Sequence, residues 1–420
     1  MAEKIIGGLH FPTSIAFDAE GRIHVAESGL PFDGAPPGGR VLNLDHSGGA
    51  SMIGQDLRTP VTGLLFHSGY FYVSEGGNPG RISRLTPDGR STNVVDGLPG
   101  LGNYHTNMAV AGPDGKLYFA QGAATNSGVV GLDAHDLGWL RRLPHNHDIP
   151  GIDVTLAGAT FESVDPRIAD SGAKTRTGVF LPFGTPGEPN QRIPGRVPCT
   201  AAVMRCNLDG SGLEMFAWGL RSAFGLLFLS DGRLLATEQG PDERGSRPIG
   251  RAPDMLFEVV QDRYYGWPDF VAGIPVTDER FVPSHGPRPS FVLADHASLP
   301  PLASPLLCFP VNSAATKMDV LPSHAPRYPG HILVCLFGDE RPVAGPPGPR
   351  VGRKLARIDP SDWSLHELSI GPFHRPIDVR VAPSGEHFYV LDFGEFELAT
   401  GHMTARAGTG ALWRASLGDL

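Results

Sequence analysis

The stretch Phe11-Pro12-Thr13-Ser14-Ile15-Ala16-Phe17, a Gly-containing turn, and then Arg22-Ile23-His24-Val25-Ala26-Glu27 decides the fold. It reads as two short apolar strands joined tightly, the second ending on a polar residue. The unit returns as Thr59-Pro60-Val61-Thr62-Gly63-Leu64-Leu65 with Phe71-Tyr72-Val73-Ser74-Glu75, and as His105-Thr106-Asn107-Met108-Ala109-Val110 with Leu117-Tyr118-Phe119-Ala120-Gln121. It returns again as Arg221-Ser222-Ala223-Phe224-Gly225-Leu226-Leu227 with Leu234-Leu235-Ala236-Thr237-Glu238. A looser copy pairs Lys317-Met318-Asp319-Val320 with His331-Ile332-Leu333-Val334-Cys335, and a sixth pairs Arg375-Pro376-Ile377-Asp378-Val379 with His387-Phe388-Tyr389-Val390-Leu391-Asp392.

Aligning Ile15, Gly63, Met108, Gly225, Met318 and Ile377 gives steps of 48, 45, 117, 93 and 59 residues. The first two match a propeller blade of roughly 40–50 residues. The excess in the third and fourth lies in Pro/Gly-rich chain, about 128–198 and 240–310, which reads as two long insertions over one face. The expected fold is all-β, one six-bladed propeller spanning residues 1–420. Its inner strands are expected near 13–18, 61–66, 107–112, 224–229, 317–321 and 376–381. Ala411-Leu412-Trp413-Arg414 would pair with the N-terminal segment to close the ring.

Composition agrees with many turns and few helices. Among 420 residues there are 55 glycines and 40 prolines, about double the usual share. Hydrophobic residues make up 40% and the net charge is −9, with no basic block. That excludes a phosphate-tracking surface, so no nucleic-acid partner is expected. No apolar run approaches the ~18 residues of a membrane span, and the N-terminus shows no apolar signal segment. A soluble chain is expected, with the cytosol favoured. Cys199 and Cys206 could pair, but their spacing matches no common zinc site. No nucleophile elbow, Walker loop, dinucleotide fingerprint or zincin motif occurs.

In a propeller, residues just before each inner strand and just after the next strand reach the same end of the channel. That mouth would collect His10, Arg58, His105, Arg221, Asn312 and Arg375 from strand starts. From strand ends it would collect Glu27, Glu75, Gln121, Glu238, Gln239, Asp339 and Asp392. Mixed charges on a concave end suit a polar small molecule or a metal. The first insertion adds His135-Asp136, His145-Asn146-His147-Asp148 and Asp153, a density of imidazole and carboxylate that suits zinc, iron or manganese.

Three motifs carry a family resemblance. They are Gly219-Leu220-Arg221-Ser222-Ala223-Phe224-Gly225-Leu226, Ala236-Thr237-Glu238-Gln239-Gly240-Pro241-Asp242, and Tyr264-Tyr265-Gly266-Trp267-Pro268. With His105 to Asn107 ahead of Gly112-Pro113-Asp114-Gly115 and with Arg375-Pro376-Ile377-Asp378-Val379, the chain resembles the soluble quinoprotein glucose/sorbosone dehydrogenases. These are six-bladed propellers that oxidise sugars with pyrroloquinoline quinone (PQQ) and calcium. The resemblance implies calcium on the carbonyls of Gly240 and Pro241. It implies PQQ held by Arg221, Ser222, Gln239, Arg375 and Asp254. It implies His105 as catalytic base, with Tyr104 beside it, and a sugar or polyol substrate with an electron acceptor.

The chain departs from the family at three positions. The family His aligns with Tyr104 rather than His105, the carboxylate expected after Gly122 is Ala123, and the blade-five Lys is replaced within Leu336-Phe337-Gly338-Asp339-Glu340. Two function classes therefore stay open. One is a PQQ- and calcium-dependent sugar or alcohol dehydrogenase. The other is a propeller without the quinone, an isomerase, lyase or lactonase-like hydrolase, or a ligand-binding protein, using the same mouth.

Overall fold

The computed structural model describes the chain apart from residues 46–48, 101, 169–171, 340–344, 347 and 400–401; Glu340 thus lies outside the described residues. Among these, six four-stranded antiparallel sheets are arranged as blades. Blade 1 runs through Pro12–Phe17, Ile23–Glu27, Gly39–Leu44 and Ala50–Leu57. Blade 2 follows with Val61–His67, Tyr70–Glu75, Gly80–Leu85 and Ser91–Leu98. Blade 3 is Thr106–Ala111, Leu117–Gln121, Ala202–Cys206 and Glu214–Trp218. Blade 4 is Ala223–Phe228, Leu234–Glu238, Met255–Val259 and Leu307–Cys308. Blade 5 is Ala315–Val320, Ile332–Leu336, Lys354–Ile358 and Leu365–Leu368. Blade 6 takes Pro376–Val381, His387–Asp392 and Gly410–Ser416 from the end of the chain and Glu3–Leu9 from its start.

Each inner strand touches the inner strands of both neighbouring blades, and the ring closes where Pro376–Val381 meets Pro12–Phe17. The closure is the expected one, with Glu3 opposite Arg414, Lys4 opposite Trp413 and Ile6 opposite Leu412. Every inner hairpin shifts register after its first residue pair, a bulge repeated in all six blades. A bulge bends and twists the strand, and six of them turn the strand starts toward the mouth in the same way. The crowding at the axis explains two glycines. A Cβ on Gly63 would come within 2.6 Å of the Met108 backbone, and one on Gly225 within 2.5 Å of the Thr316 carbonyl oxygen.

The first insertion leaves blade 3 after Gln121 and returns at Ala202. It holds two short helices, Leu132–Asp136 and Trp139–Arg142, and two strand pairs, Thr160–Val164 with Lys174–Gly178 and, enclosing it in sequence, Val154–Thr155 with Arg192–Ile193. The second stretch, expected as loop over 240–310, contains the third and fourth strands of blade 4, so its extra chain is shorter. The two insertions are joined to each other. Ala157 N donates to Val292 O and Ala294 N to Thr155 O, each at 2.8 Å. Arg247, with no exposed side-chain surface, pairs with Asp269 at 2.8 Å and donates to the carbonyls of Ser127, Pro268 and Ser290. Among the described residues no helix is long and apolar enough to cross a membrane. The four cysteines are free.

Candidate active site at the channel mouth

The chain just before an inner strand makes no ladder bonds, so its N–H groups need acceptors. The acidic strand ends supply them. Glu27 accepts from His10 N at 2.6 Å, Glu75 from Arg58 N at 2.5 Å, and Glu238 from Ser222 N at 3.1 Å. Asp392 accepts from both His374 N and Arg375 N at 2.8 Å. In blade 3 the equivalent Gln121 accepts from the Thr106 hydroxyl. Blade 5 has Leu336 there, and Asp254 substitutes by accepting from Ala315 N at 2.8 Å. In blades 1, 2, 4 and 6 the strand-end carboxylates expected to face a ligand thus accept from backbone instead.

Between blades 3 and 4 a different set converges. Ala123 N donates to Arg221 O at 2.7 Å, Tyr104 N to Ala123 O at 3.2 Å, and Asn103 N to Ala124 O at 2.9 Å, lacing the two blade starts together. Asp148, fully buried, fixes the same loop by accepting from Ala124 N and from the N–H and hydroxyl of Thr125. On this frame lies the Arg221 guanidinium, its side chain 1% exposed. It donates to the carbonyls of Gln239 and Gly240, to Asn126 Oδ1 at 2.8 Å, to Asp242 Oδ2 at 2.7 Å and to the Tyr104 hydroxyl. It also lies over the Tyr104 ring, 4.3 Å from the centroid. Arg244 reaches the same phenol oxygen at 2.9 Å and Asp242 at 3.0 Å, and pairs with Asp133 at 2.8 Å. Asn103 bonds Asp133 and accepts from the Trp139 indole, which ties the insertion's helices to this corner.

The electrostatics separate the carboxyl groups here. Burial pushes Asp242 up, but the guanidinium groups of Arg221 and Arg244 outweigh it and hold it below its usual value. Glu238 has no such pairing; burial raises it to about 8 despite the Arg221 charge. Asp254 is raised by burial to about 6, while the N–H groups of Ala315 and Gly240 pull it back. His105 is lowered by burial to about 4, and its Nδ1 is buried without a hydrogen-bond partner.

No protein-family model matches the chain, and no curated protein sequence does. Solved structures do match. The PQQ-bound aldose sugar dehydrogenase of Streptomyces coelicolor is 14% identical, with 98% of this chain and 96% of that one covered and a TM-score of 0.57. The holo PQQ domain of Coprinopsis cinerea pyranose dehydrogenase is 13% identical over 98% and 94%, with a TM-score of 0.58. The apo soluble aldose sugar dehydrogenase of Escherichia coli is 13% identical over 99% of both chains, with a TM-score of 0.55. The chain has the sugar-dehydrogenase propeller fold.

The residues at this mouth do not fit the PQQ and calcium that the sequence resemblance implies. Both Arg221 Nη atoms are engaged by protein oxygens, so no fork is left for a quinone carboxylate. The Gly240 carbonyl expected to ligate calcium accepts from Arg221, and Gly240 N is held by Asp254 at 3.0 Å. Pro241 is buried beside it. Gln239 gives its carbonyl to Arg221, and its side-chain amide reaches Ala315 O at 3.5 Å. The Ser222 hydroxyl is buried without a partner. Ala123, where a carboxylate would support a His base, is fully buried.

Arg375 does not join this set. It donates to the carbonyls of Gly338 and Asp339 and to Glu397 at 3.0 Å. With His374, Arg353, Arg406 and Glu395 it lines a separate cleft of about 200 Å³ on blade 6. The His/Asp stretch of the first insertion is dispersed. His135 accepts from Arg141, Asp148 holds the loop of blade 3, and Asp153 holds Gly195 N. Among the described residues no three His, Cys, Asp or Glu stand together as a metal site. Asn126 and Asp133 were not singled out from sequence. The sequence does point to Tyr104, Arg221, Gln239 and Gly240, and the charged run Asp242-Glu243-Arg244 directly after Gly240-Pro241 signals a further part of the cluster.

Proposed function

We propose that the protein is an enzyme acting on a small polyhydroxylated or carbonyl-bearing molecule by proton transfer at the mouth between blades 3 and 4. Tyr104 is the acid–base group in this reading. The observation that carries it is the convergence of two guanidinium groups and one carboxylate on Tyr104 Oη. Asp242 and Arg244 keep 20% and 13% of their side-chain surface exposed, so this corner is open to a ligand. Two cations beside one phenol oxygen compensate negative charge there, the requirement for a phenol that takes up a proton. Arg244 would then stabilise charge developing on a substrate oxygen. An isomerase or lyase acting next to a carbonyl has this requirement.

The second reading is a PQQ- and calcium-dependent sugar dehydrogenase. It is favoured by the Arg221, Glu-Gln-Gly-Pro and Tyr-Gly-Trp-Pro motifs standing in family order along blade 4. One experiment separates the two. The protein is incubated in D2O with a panel of aldoses, uronic acids and aldonolactones and followed by NMR. The proton-transfer reading expects deuterium incorporation or isomerisation that Tyr104→Phe reduces by about 10²-fold or more. Dye reduction by sugars only after PQQ and calcium are added would replace it with the second reading.

A further inference from the structure

Asn126 stands early in the first insertion with 2% of its surface exposed. Its side-chain amide spans the turn that follows Gly240-Pro241. Oδ1 accepts from Asp242 N and from Arg221 Nη2, each at 2.8 Å. Nδ2 donates to Asp242 O at 2.8 Å and to Arg244 O at 3.1 Å. Both lone pairs and both amide hydrogens are thereby used, and only one orientation of the amide satisfies all of these partners. A side chain that bonds both the N–H and the C=O of one residue holds that backbone as a neighbouring strand would. Asn126 is itself fixed, since its carbonyl accepts from the Trp267 indole at 3.1 Å and Asp148 anchors Thr125 before it. The backbone of Asp242-Glu243-Arg244 is therefore set against blade 3, and from it the Asp242 carboxylate and the Arg244 guanidinium reach Tyr104 Oη at 3.2 and 2.9 Å.

We infer that Asn126 is the positioning residue of this site, acting through the backbone of Asp242 and Arg244 to set where their side chains meet the Tyr104 hydroxyl. The inference rests on the reading that Tyr104, Asp242 and Arg244 carry the reaction. Without Asn126 the turn keeps the bond from Ile249 N to Asp242 O, at 3.1 Å, while Asp242 N and Arg244 O are left to water. The corner is partly exposed, so water reaches these groups. The turn then moves outward to hydrate them, and Arg244 leaves the phenol more often.

The test follows the Arg244 Nε–H by NMR of the full chain labelled with 15N-arginine, its resonance assigned by its loss in Arg244→Lys. Exchange of that hydrogen with water reports how often the guanidinium comes off its partners. Asn126→Ala is expected to speed the exchange about 10-fold or more, the factor that one lost buried hydrogen bond carries. Lys317→Met, a buried substitution at the propeller axis, is expected to leave it within about 2-fold. Should Asn126→Ala fail to fold, Asn126→Ser, which keeps a hydroxyl but loses both amide hydrogens, is read in the same way. Exchange that is unchanged in a folded Asn126 variant, or sped equally by Lys317→Met, overturns the inference by giving Asn126 a structural role alone; so does the failure of both Asn126 variants to fold. The measurement needs no substrate. Deuterium incorporation tests the reaction and Arg244 exchange tests the position, so either fails without the other.

Discussion

Replacing Lys317 with Met tests whether the propeller axis is held by one buried charge. Lys317 lies on the inner strand of blade 5 with no exposed surface. Its ammonium donates to Thr13 O at 2.5 Å and Ser14 Oγ at 3.0 Å on blade 1, and to Thr62 O at 2.7 Å on blade 2. Asp378 Oδ2 on blade 6 stands 3.9 Å away and itself accepts from Ile15 N at 2.8 Å. One side chain thus connects blades 5, 1, 2 and 6 across the axis. Met conserves most of the volume but leaves two buried carbonyls without a donor and Asp378 without its ammonium. Removing one partner of a buried pair costs about 3–5 kcal/mol. At ~2.1 cal/mol/K per residue, a chain of this length unfolds with an entropy near 0.9 kcal/mol/K, so Tm should fall by about 4 °C at pH 7. Burial lowers the Lys317 pKa from 10.5 to about 8, against the pull of Asp378. The folded state then holds fewer protons than the unfolded state between these values, so the native chain gains stability relative to Lys317→Met as pH rises from 8 to 10.5, by about 3 kcal/mol in all. Differential scanning calorimetry of both proteins from pH 7 to 10 measures both effects. A Tm change under about 1 °C at pH 7, or a difference that does not widen with pH, refutes the axial role.

Glu238, raised to about 8, keeps a proton in the folded state that the unfolded chain releases near 4.5. The native protein should therefore lose stability as pH climbs from 4.5 to 8, and Glu238→Gln should flatten the Tm-against-pH curve over that window. Deleting residues 2–9 removes the closing strand and its buried Ile6 and Leu9; at about 1.5–3 kcal/mol per buried side chain plus the lost ladder, Tm should drop by roughly 5 °C or more. A truncated chain melting with the full-length one would show that the ring does not depend on its closure. Asp148→Ala leaves three donors on Ala124 and Thr125 unpaired, each worth about 1–3 kcal/mol; a melt unchanged within 1 °C would show that water replaces the carboxylate.

The propeller was legible because its inner hairpins repeat a local signal. Polar start, apolar strand, Gly turn and apolar strand recur six times, and the observed inner strands Pro12–Phe17 and Pro376–Val381 fall within a residue of expectation. Outer strands carry no such signal. Blade 4 completes its sheet with two residues, Leu307–Cys308, at the end of a Pro-rich stretch that reads as loop. The mouth was legible as a location and not as a set of partners, for a physical reason. Glu27, Glu75, Glu238 and Asp392 are acidic in either role, whether they face a ligand or cap a strand start. Only the positions of the competing N–H groups decide between these roles. The same competition governs Arg221 and Gly240. A motif specifies which atoms are present, an arginine fork and a carbonyl; what each binds depends on the nearest complementary group within the chain. Asn126, Asp242 and Tyr104 are remote from one another in sequence and adjacent in the fold, and together they draw the guanidinium inward. With that donor committed, the mouth presents Tyr104, Asp242 and Arg244 to solvent in place of an anion clamp. The fold brings these residues to one mouth, and under the proposed reading the partners of Arg221 leave proton transfer rather than quinone binding as its chemistry.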